Sequence, residues 1–542
     1  AAATALYGSR GANGVIVITT KRGKKLENRK LPRISLSSSL AFDDVVLKGF
    51  QDKYLQGTNG MYKNGLPSSE GGYSEDPGGA TQTSLSWGPH RDQVSQTVID
   101  AIGKPAIFNP REQFYQTGKV WNHSLSLSGG SDKSTYVFTY SKLDQEGIVP
   151  NNTYERNSLT AAFTSQLTDR FSVNSSVNYT KSNNQRLPEG NGQRSYLFGL
   201  NFTPISYDID RYYSEPGKKN ISFHPTSFNN PYWLADNNGI FSNVDRFIVS
   251  ATADYNVLSW LKISNRVGID TYTDAQNEAV NIGTRSVPAG RMFESLIKNT
   301  QVNNDLIISA NYDINEDLNL NALVGHNTNV RTYTNRTIRG LGLSIPNYFD
   351  ITNAQKTEAY QNDSEQRLIG VYANATLDYK NYLFLTVTGR NDWSSTLPVN
   401  SNSYFYPSVS LGWVFTDVLG LANSTYFPYG KLRASWAQAG NSAAPYMTER
   451  FFTQAGPGDG TRGVITFPFR GYNGFDVSTQ LNNNTLVHEL VTEKELGLDL
   501  RFLNNRLGLD MSFYDKVSNN QIISQEVAAS SGYTNRVTNA GE

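Results

Sequence analysis

The chain has 542 residues, no Cys, five His, 48 basic against 48 acidic side chains, and 12% aromatic residues that include 31 Tyr. The lack of Cys excludes thiolate metal sites, iron–sulfur clusters, Cys nucleophiles and disulfides, and the balanced charge offers no electrostatic footprint for nucleic acid. The densest apolar run, Val15-Ile16-Val17-Ile18, falls far short of the roughly 18 residues a transmembrane helix needs, so a membrane-spanning form of this chain has to be a closed barrel.

Along the chain, Ala1 to Tyr7 reads as a helix end, Gly8 to Gly14 as a Gly-rich turn and Val15 to Thr20 as a strand. A basic run, Lys21-Arg22-Gly23-Lys24-Lys25, follows. Residues 1–25 are therefore read as the tail of a separate domain, and 26–542 as a second unit. From about residue 31 to 517, alternation of period two recurs. Between 171 and 180, Phe171, Val173, Val177 and Tyr179 share a face opposite Ser172, Asn174, Ser176, Asn178 and Thr180. About fifteen strands are expected, near 31–42, 119–130, 132–143, 154–167, 170–182, 244–257, 260–272, 299–312, 317–329, 364–379, 381–391, 403–416, 428–440, 491–502 and 506–517.

A soluble sandwich also alternates. Three features argue for a barrel instead. The strands look about 10–13 residues long, which suits the ~9–11 of a transmembrane strand better than the ~5–6 of soluble sheets. Charge is sparse on the apolar faces, where an Arg or Lys at mid-bilayer costs roughly 2–4 kcal/mol. The connections also alternate in length. Short ones fall at Gly129-Gly130-Ser131-Asp132, Thr168-Asp169, Leu258-Ser259, Asn315-Glu316-Asp317, Lys380-Asn381 and Asn504-Asn505, all tight polar or turn sequences. Long ones are expected near 43–118, 183–243, 273–298, 330–363 and 441–490.

Ala2-Ala3-Thr4-Ala5-Leu6-Tyr7-Gly8-Ser9-Arg10-Gly11-Ala12-Asn13-Gly14-Val15-Ile16-Val17-Ile18-Thr19-Thr20-Lys21 resembles the end of the plug domain in SusC/RagA-type TonB-dependent outer-membrane transporters. Gly389-Arg390-Asn391-Asp392-Trp393-Ser394-Ser395 with Tyr406 to Trp413 resembles that family's mid-barrel signature. Asn122 to Gly130, Lys431 to Asn441, and Asn539-Ala540-Gly541-Glu542 resemble further barrel segments in the expected order. One segment departs from the pattern: Asn484-Thr485-Leu486-Val487-His488-Glu489 stands where the family commonly has a Pro-Asn-Leu-Lys-Trp-Glu-like stretch. The resemblance implies an all-β antiparallel barrel of 22 strands, about 15 of them present here, with the C-terminal end of a plug at the N-terminus. It implies active import of oligosaccharides or peptides across the outer membrane of a Gram-negative bacterium. A SusD-like surface lipoprotein would be the partner, and TonB would supply energy through a region outside this chain. Both chain ends are read as truncations, so an open sheet with edges near 31–42 and 506–517 is expected.

The candidate plug-end motif is Tyr7, Gly8, Ser9, Arg10, Gly11, Asn13 and Gly14. It lacks the Lys-Ser/Thr of a phosphate loop and reads as a strained turn, with Arg10 an ion-pair partner between plug and wall. Tyr73, Trp87, Tyr212, Tyr213, Tyr232, Trp233, Trp393 and Tyr404 are the loop aromatics placed to stack on sugar rings or peptide side chains, weighed against girdle or loop packing. Trp260 and Trp413 read as girdle or wall residues. The scattered His90, His123, His224, His326 and His488 have no zinc spacing, so no metal, cofactor or catalytic residue is expected. A passive outer-membrane porin or surface nutrient-binding barrel without TonB coupling, and a soluble, secreted all-β adhesin or enzyme, are the competing readings.

Overall fold

A computed structural model describes residues 8–11, 32–224, 226–455, 465 and 467–541. Fifteen strands form one antiparallel sheet, each hydrogen-bonded to the strands before and after it in this order. They are β1 (Arg33–Asp43), β2 (Gly118–Gly130), β3 (Ser134–Glu146), β4 (Thr153–Gln166), β5 (Phe171–Arg186), β6 (Asn238–Leu258), β7 (Leu261–Val280), β8 (Arg291–Asn315), β9 (Leu318–Leu343), β10 (Ala354–Tyr379), β11 (Leu383–Ser394), β12 (Ser403–Val414), β13 (Tyr429–Asn441), β14 (Glu489–Phe502) and β15 (Leu507–Asn519). Each coincides with an expected strand. The sheet is open: β1 and β15 lie at its two ends. The strand expected at 15–20 lies outside the described residues.

Register carries one face across the sheet. Ile34, Leu127, Phe138, Ala161, Val177, Val249, Ile269, Val302 and Val330 form one continuous cross-strand row from β1 to β9. Leu385, Leu411, Ala434, Leu496 and Phe513 form another from β11 to β15. Many of these side chains are exposed, Ile34 and Phe513 among the most. An apolar band of this extent would be an aggregation hazard in water, whereas it matches the lipid-facing surface of a membrane barrel. The opposite face carries short polar ladders, such as Ser126–Thr139 at 3.0 Å, Ser176–Ser250 at 2.8 Å and Thr376–Thr386 at 2.9 Å.

All six expected short connections fall at one end of the sheet. Lys380 and Asn381 take φ of 52° and 59°, the left-handed pair that suits the twist of a tight hairpin. A seventh connection at this end, 415–428, begins with a short helix, Phe415–Val418. Aromatics gather here: Trp260 meets Tyr312 edge-on at 5.6 Å, and Trp413 meets Phe415 at 5.8 Å. Such aromatics at the strand ends match the girdle of a membrane barrel.

At the other end two expectations need correction. Residues 273–298 and 330–363 are not long loops. Strands β6 to β10 run 21, 20, 25, 26 and 26 residues, which leaves only 281–290 and 344–353 between paired strands. Apolar alternation stops in these upper segments because both faces are polar, yet the ladder continues. It is held by cross-strand pairs such as Thr271–Thr300 at 2.7 Å and the bidentate Arg246–Asp270 pair at 2.8 and 2.5 Å. The connections 147–152 and 395–402 on this side are also short.

The remaining loops pack into two bodies. In the first, 44–117 and 187–237 close over a core that includes Phe114, Tyr196, Leu200, Tyr212, Phe228, Tyr232 and Leu234. Asn-Pro starts two of its helices, α1 (Pro110–Phe114) and α2 (Pro231–Asn237). Asn230 Oδ1 accepts from Tyr232 N at 2.9 Å, and Pro231 occupies the first turn, where no amide proton is needed. Gln56 stitches the two loops together, donating to Thr83 O at 2.7 Å and Phe223 O at 2.9 Å. The second body packs Leu397, Tyr404, Tyr406, Ala443, Leu486 and Val537. It includes the hairpin of β16 (Gln521–Glu526) and β17 (Asn535–Ala540). Asn539 is bonded in both directions to the backbone of Val487 at 2.9 Å.

Candidate functional site

The polar face of the sheet meets the N-terminal segment. Gly8–Gly11 forms a 3-10 turn lying against β11 and β13, and Gly8 and Gly11 are buried. Gly8 has φ +76°, and a Cβ there would lie 2.5 Å from Nε of Arg390. Only Gly satisfies both the left-handed backbone and the close approach. The side chains of Ser9 and Arg10, and Tyr7, Asn13 and Gly14 entirely, lie outside the described residues. We call the face that receives this turn the lumen face.

Beneath the turn sits a buried charged set. Arg390 is 2% exposed and Asp392 and Tyr406 are 0% exposed. Arg390 Nε donates to Asp392 Oδ1 at 2.7 Å, and the Tyr406 hydroxyl donates to Asp392 Oδ2. The Arg390 guanidinium also stands 5.2 Å from the Tyr372 ring. Alternation explains the placement: Thr388, Arg390, Asp392 and Ser394 point inward and are buried, while Val387 and Trp393 point outward and are exposed. Desolvating the pair is costly, so both charges are held by each other and by hydrogen bonds.

Higher on the lumen face, register aligns Arg186, Ile240, Glu278, Phe293, Arg339 and Glu358 in one row across β5 to β10. Arg291 Nη2 donates to both Glu278 oxygens at 3.0 and 2.7 Å, and Arg194 pairs with the same carboxylate. These residues other than Arg194 and Glu358, with Tyr360 and Gln276, line a cavity of about 620 Å3. A second cavity of about 450 Å3, lined by Tyr154, Asn184, Glu189 and Tyr196, adjoins it at Arg186. Nothing in the chain pattern singled out this row, because 273–298 and 330–363 read as loop. The signal present was local alternation, Arg291-Met292-Phe293 and Thr337-Ile338-Arg339.

The expected aromatics separate into two groups. Tyr212, Tyr232, Trp233 and Tyr404 are 1%, 7%, 9% and 2% exposed, with their rings packed among other side chains. The Tyr212 hydroxyl donates to Asp236 at 3.1 Å and that of Tyr232 to Gln113 O. Burial pushes both phenols above their ordinary range, so each stays a donor. Tyr404 stacks on His488 at 4.6 Å, and burial pulls the His488 imidazole below its usual value. Tyr73 is half-buried beside Tyr62. Trp87, Tyr213 and Trp393 are exposed. Trp393 and Tyr404 lie in strands, not loops, because only 395–402 separates β11 from β12. Trp393 pairs with Ile369 on the outward face. Among the described residues no His/Asp/Glu group is arranged to hold a metal ion, and no helix is long and apolar enough to cross a membrane, which leaves strand crossings open.

The model of the family "TonB dependent receptor-like, beta-barrel" matches residues 185–542. TonB-dependent receptor P3 of Formosa agariphila is 26% identical, with the match covering 100% of this chain and 50% of that protein. TonB-dependent receptor SusC of Bacteroides thetaiotaomicron is 22% identical over 99% of this chain and 51% of its own length. Among solved structures, the RagAB peptide transporter superposes with a TM-score of 0.76 at 18% identity, over 99% of this chain and 60% of that one. The RagAB importer in its open-open state gives 0.77 at 20% identity, over 100% and 60%. The chain thus spans about half the length of the curated relatives it matches. With its open sheet, outward apolar band and matched residues, the chain belongs to the TonB-dependent receptor-like β-barrel family.

Proposed function

We propose that this chain is the wall, loop canopy and plug terminus of a TonB-dependent importer of oligosaccharides or peptides in the outer membrane of a Gram-negative bacterium. The family is one of outer-membrane receptors and transporters, not of enzymes. The observation that carries the reading is the Gly8–Gly11 turn lodged on the buried Arg390–Asp392–Tyr406 set. A turn seated inside the wall is what a plug requires, and a passive pore has no use for it. Substrate binds above the plug, between the tall β6–β10 wall and the loop bodies. Force on the plug from TonB then opens a path along the polar lumen face. No covalent step is involved. A SusD-like lipoprotein covers the loop side, and the relatives named SusC and RagAB support that partner.

The test is uptake of labelled oligosaccharide and peptide pools by cells expressing the full-length protein, with and without TonB. Uptake that disappears without TonB supports the importer. Uptake that persists unchanged makes the protein a passive porin. Recovery of a surface lipoprotein on gentle purification of the full-length protein supports the partner, and its absence removes that part of the reading.

A further inference from the structure

The row at the top of the lumen face lies on other strands than β11 and β13, which receive the Gly8–Gly11 turn, and its chemistry is specific. Two carboxylates there each hold two cations. Glu278 takes Arg194 and Arg291, and Glu358 takes Lys356 at 2.7 Å and Arg339 at 3.8 Å. Arg186, at the junction of the two cavities, forms no ion pair among the described residues. The cavity itself is lined by three arginines, Arg186, Arg291 and Arg339, against one carboxylate, Glu278, while Glu189 and Asp43 line the adjoining cavity. Asp274, lower on the same face of β7, accepts from Ser242 at 2.8 Å and Gln276 at 2.6 Å and does not line the cavity.

Placement makes that excess available to a ligand. Glu358 and Tyr360 share strand and face with Tyr372, which pairs with Arg390 beneath the plug turn. The row therefore faces the lumen. From β5 to β9 it crosses four strand spacings, about 19 Å at ~4.8 Å each, longer than a single sugar or amino acid. Between the arginines lie the Phe293 ring on β8 and the Gln276 amide on β7, with Thr337 beside Arg339 on β9 and the Tyr360 ring beyond it on β10.

We propose that this cavity is a substrate subsite that reads carboxylate groups on an anionic oligomer, with Arg186 and Arg339 as the recognising side chains, Phe293 as the platform between them and Tyr360 as a second platform beyond Arg339. Planar guanidinium groups bind carboxylates through paired hydrogen bonds, and the surplus positive charge draws anions into the mouth of the barrel. Glu278 tempers the site by occupying two arginines. The assignment deepens the importer reading and rests on it for the word substrate.

The experiment is calorimetric titration of the full-length protein in detergent with four probes: a uronate hexasaccharide, a neutral glucose hexasaccharide, a hexaglutamate peptide and a hexaglutamine peptide. At least one anionic probe binds, and its neutral counterpart binds at least tenfold more weakly. Which backbone binds tells a glycan from a peptide source, and equal binding of both anions means the carboxylate alone is read. Arg339→Gln weakens the anion tenfold or more. Arg336→Gln, on the outward face of the same strand, leaves affinity unchanged. Glu278→Gln tightens binding, the opposite of what loss of a merely structural ion pair would give. Equal binding of neutral and anionic probes, no binding of either anion, or equal losses in the two Arg variants overturns the proposal. TonB-driven uptake of neutral oligomers without anion binding removes this subsite and spares the importer. Anion binding with uptake that ignores TonB does the reverse.

Discussion

The two halves of β10 obey different rules. From Arg367 to Ala373 exposure alternates strictly, with Leu368, Gly370 and Tyr372 buried and Ile369 and Val371 open on the outward face. From Gln355 to Asp363 nearly every residue is exposed on both faces. A transmembrane strand needs about 11 residues, so about fifteen of the 26 in β10 stand clear of the bilayer. In the lower half lipid on one face and the lumen on the other dictate side-chain type position by position. In the upper half only backbone pairing and cross-strand polar contacts hold the strand, and residue type is free to serve a ligand.

If that contrast is right, the inward face of the lower half is the least forgiving place in the chain. Arg390→Ala leaves the Asp392 carboxylate buried beside a lost partner, at a cost of about 3–5 kcal/mol. Denaturant unfolding of the full-length protein in micelles measures it, and a loss near zero would mean that water reaches this set freely. The outward face comes next. Val387→Arg places a cation in the apolar band and costs about 2–4 kcal/mol in folding titrations into lipid vesicles. Gln361→Arg in the upper half of β10 stays within about 0.5 kcal/mol of the parent protein. Equal costs at the two positions would erase the distinction between the halves.

This division also explains what the sequence revealed. All fifteen strands were legible, because each crosses the bilayer and lipid enforces alternation there. The upper parts of β6 to β10 were not, since Asn, Thr, Arg and Asp on both faces look like loop. The short helices of the first loop body, such as Pro231–Asn237, are too brief to show a helical period. At the candidate site, Gly389 to Ser395 was visible as a motif, but its inward Arg390–Asp392 pairing needed the register. Tyr212, Tyr232 and Tyr404 were visible as aromatics in polar surroundings. Their burial depends on partners from distant segments, such as Asp236, Gln113 and His488.

The loop bodies give smaller effects. Asn230→Ala removes the cap of the Pro231–Asn237 helix and costs about 1 kcal/mol, which shows as faster proteolysis within 187–237 with the strands intact. The second body is sensitive to acid. Burial lowers the His488 imidazole, so as pH falls the unfolded segment takes up a proton first. The contribution is intact above about 6.5, the unperturbed value, and declines below it. Proteolysis of 442–488 should quicken below that pH in the parent protein, and His488→Phe should flatten the profile.

The most direct measurement uses the absence of Cys in the chain, with any Cys elsewhere in the full-length protein replaced by Ser. Single cysteines at Ala359, Tyr360, Gln361 and Asn362 in the upper half of β10, and at Ile369, Val371 and Ala373 in the lower half, are placed in the full-length protein. They are then reacted with a water-soluble thiol reagent in vesicles. The account predicts labelling at all four upper positions on both faces, and protection at the three lower outward positions until the bilayer is dissolved. Labelling of Ile369, Val371 and Ala373 in intact vesicles, at the rate of the upper four, would contradict a membrane-spanning wall.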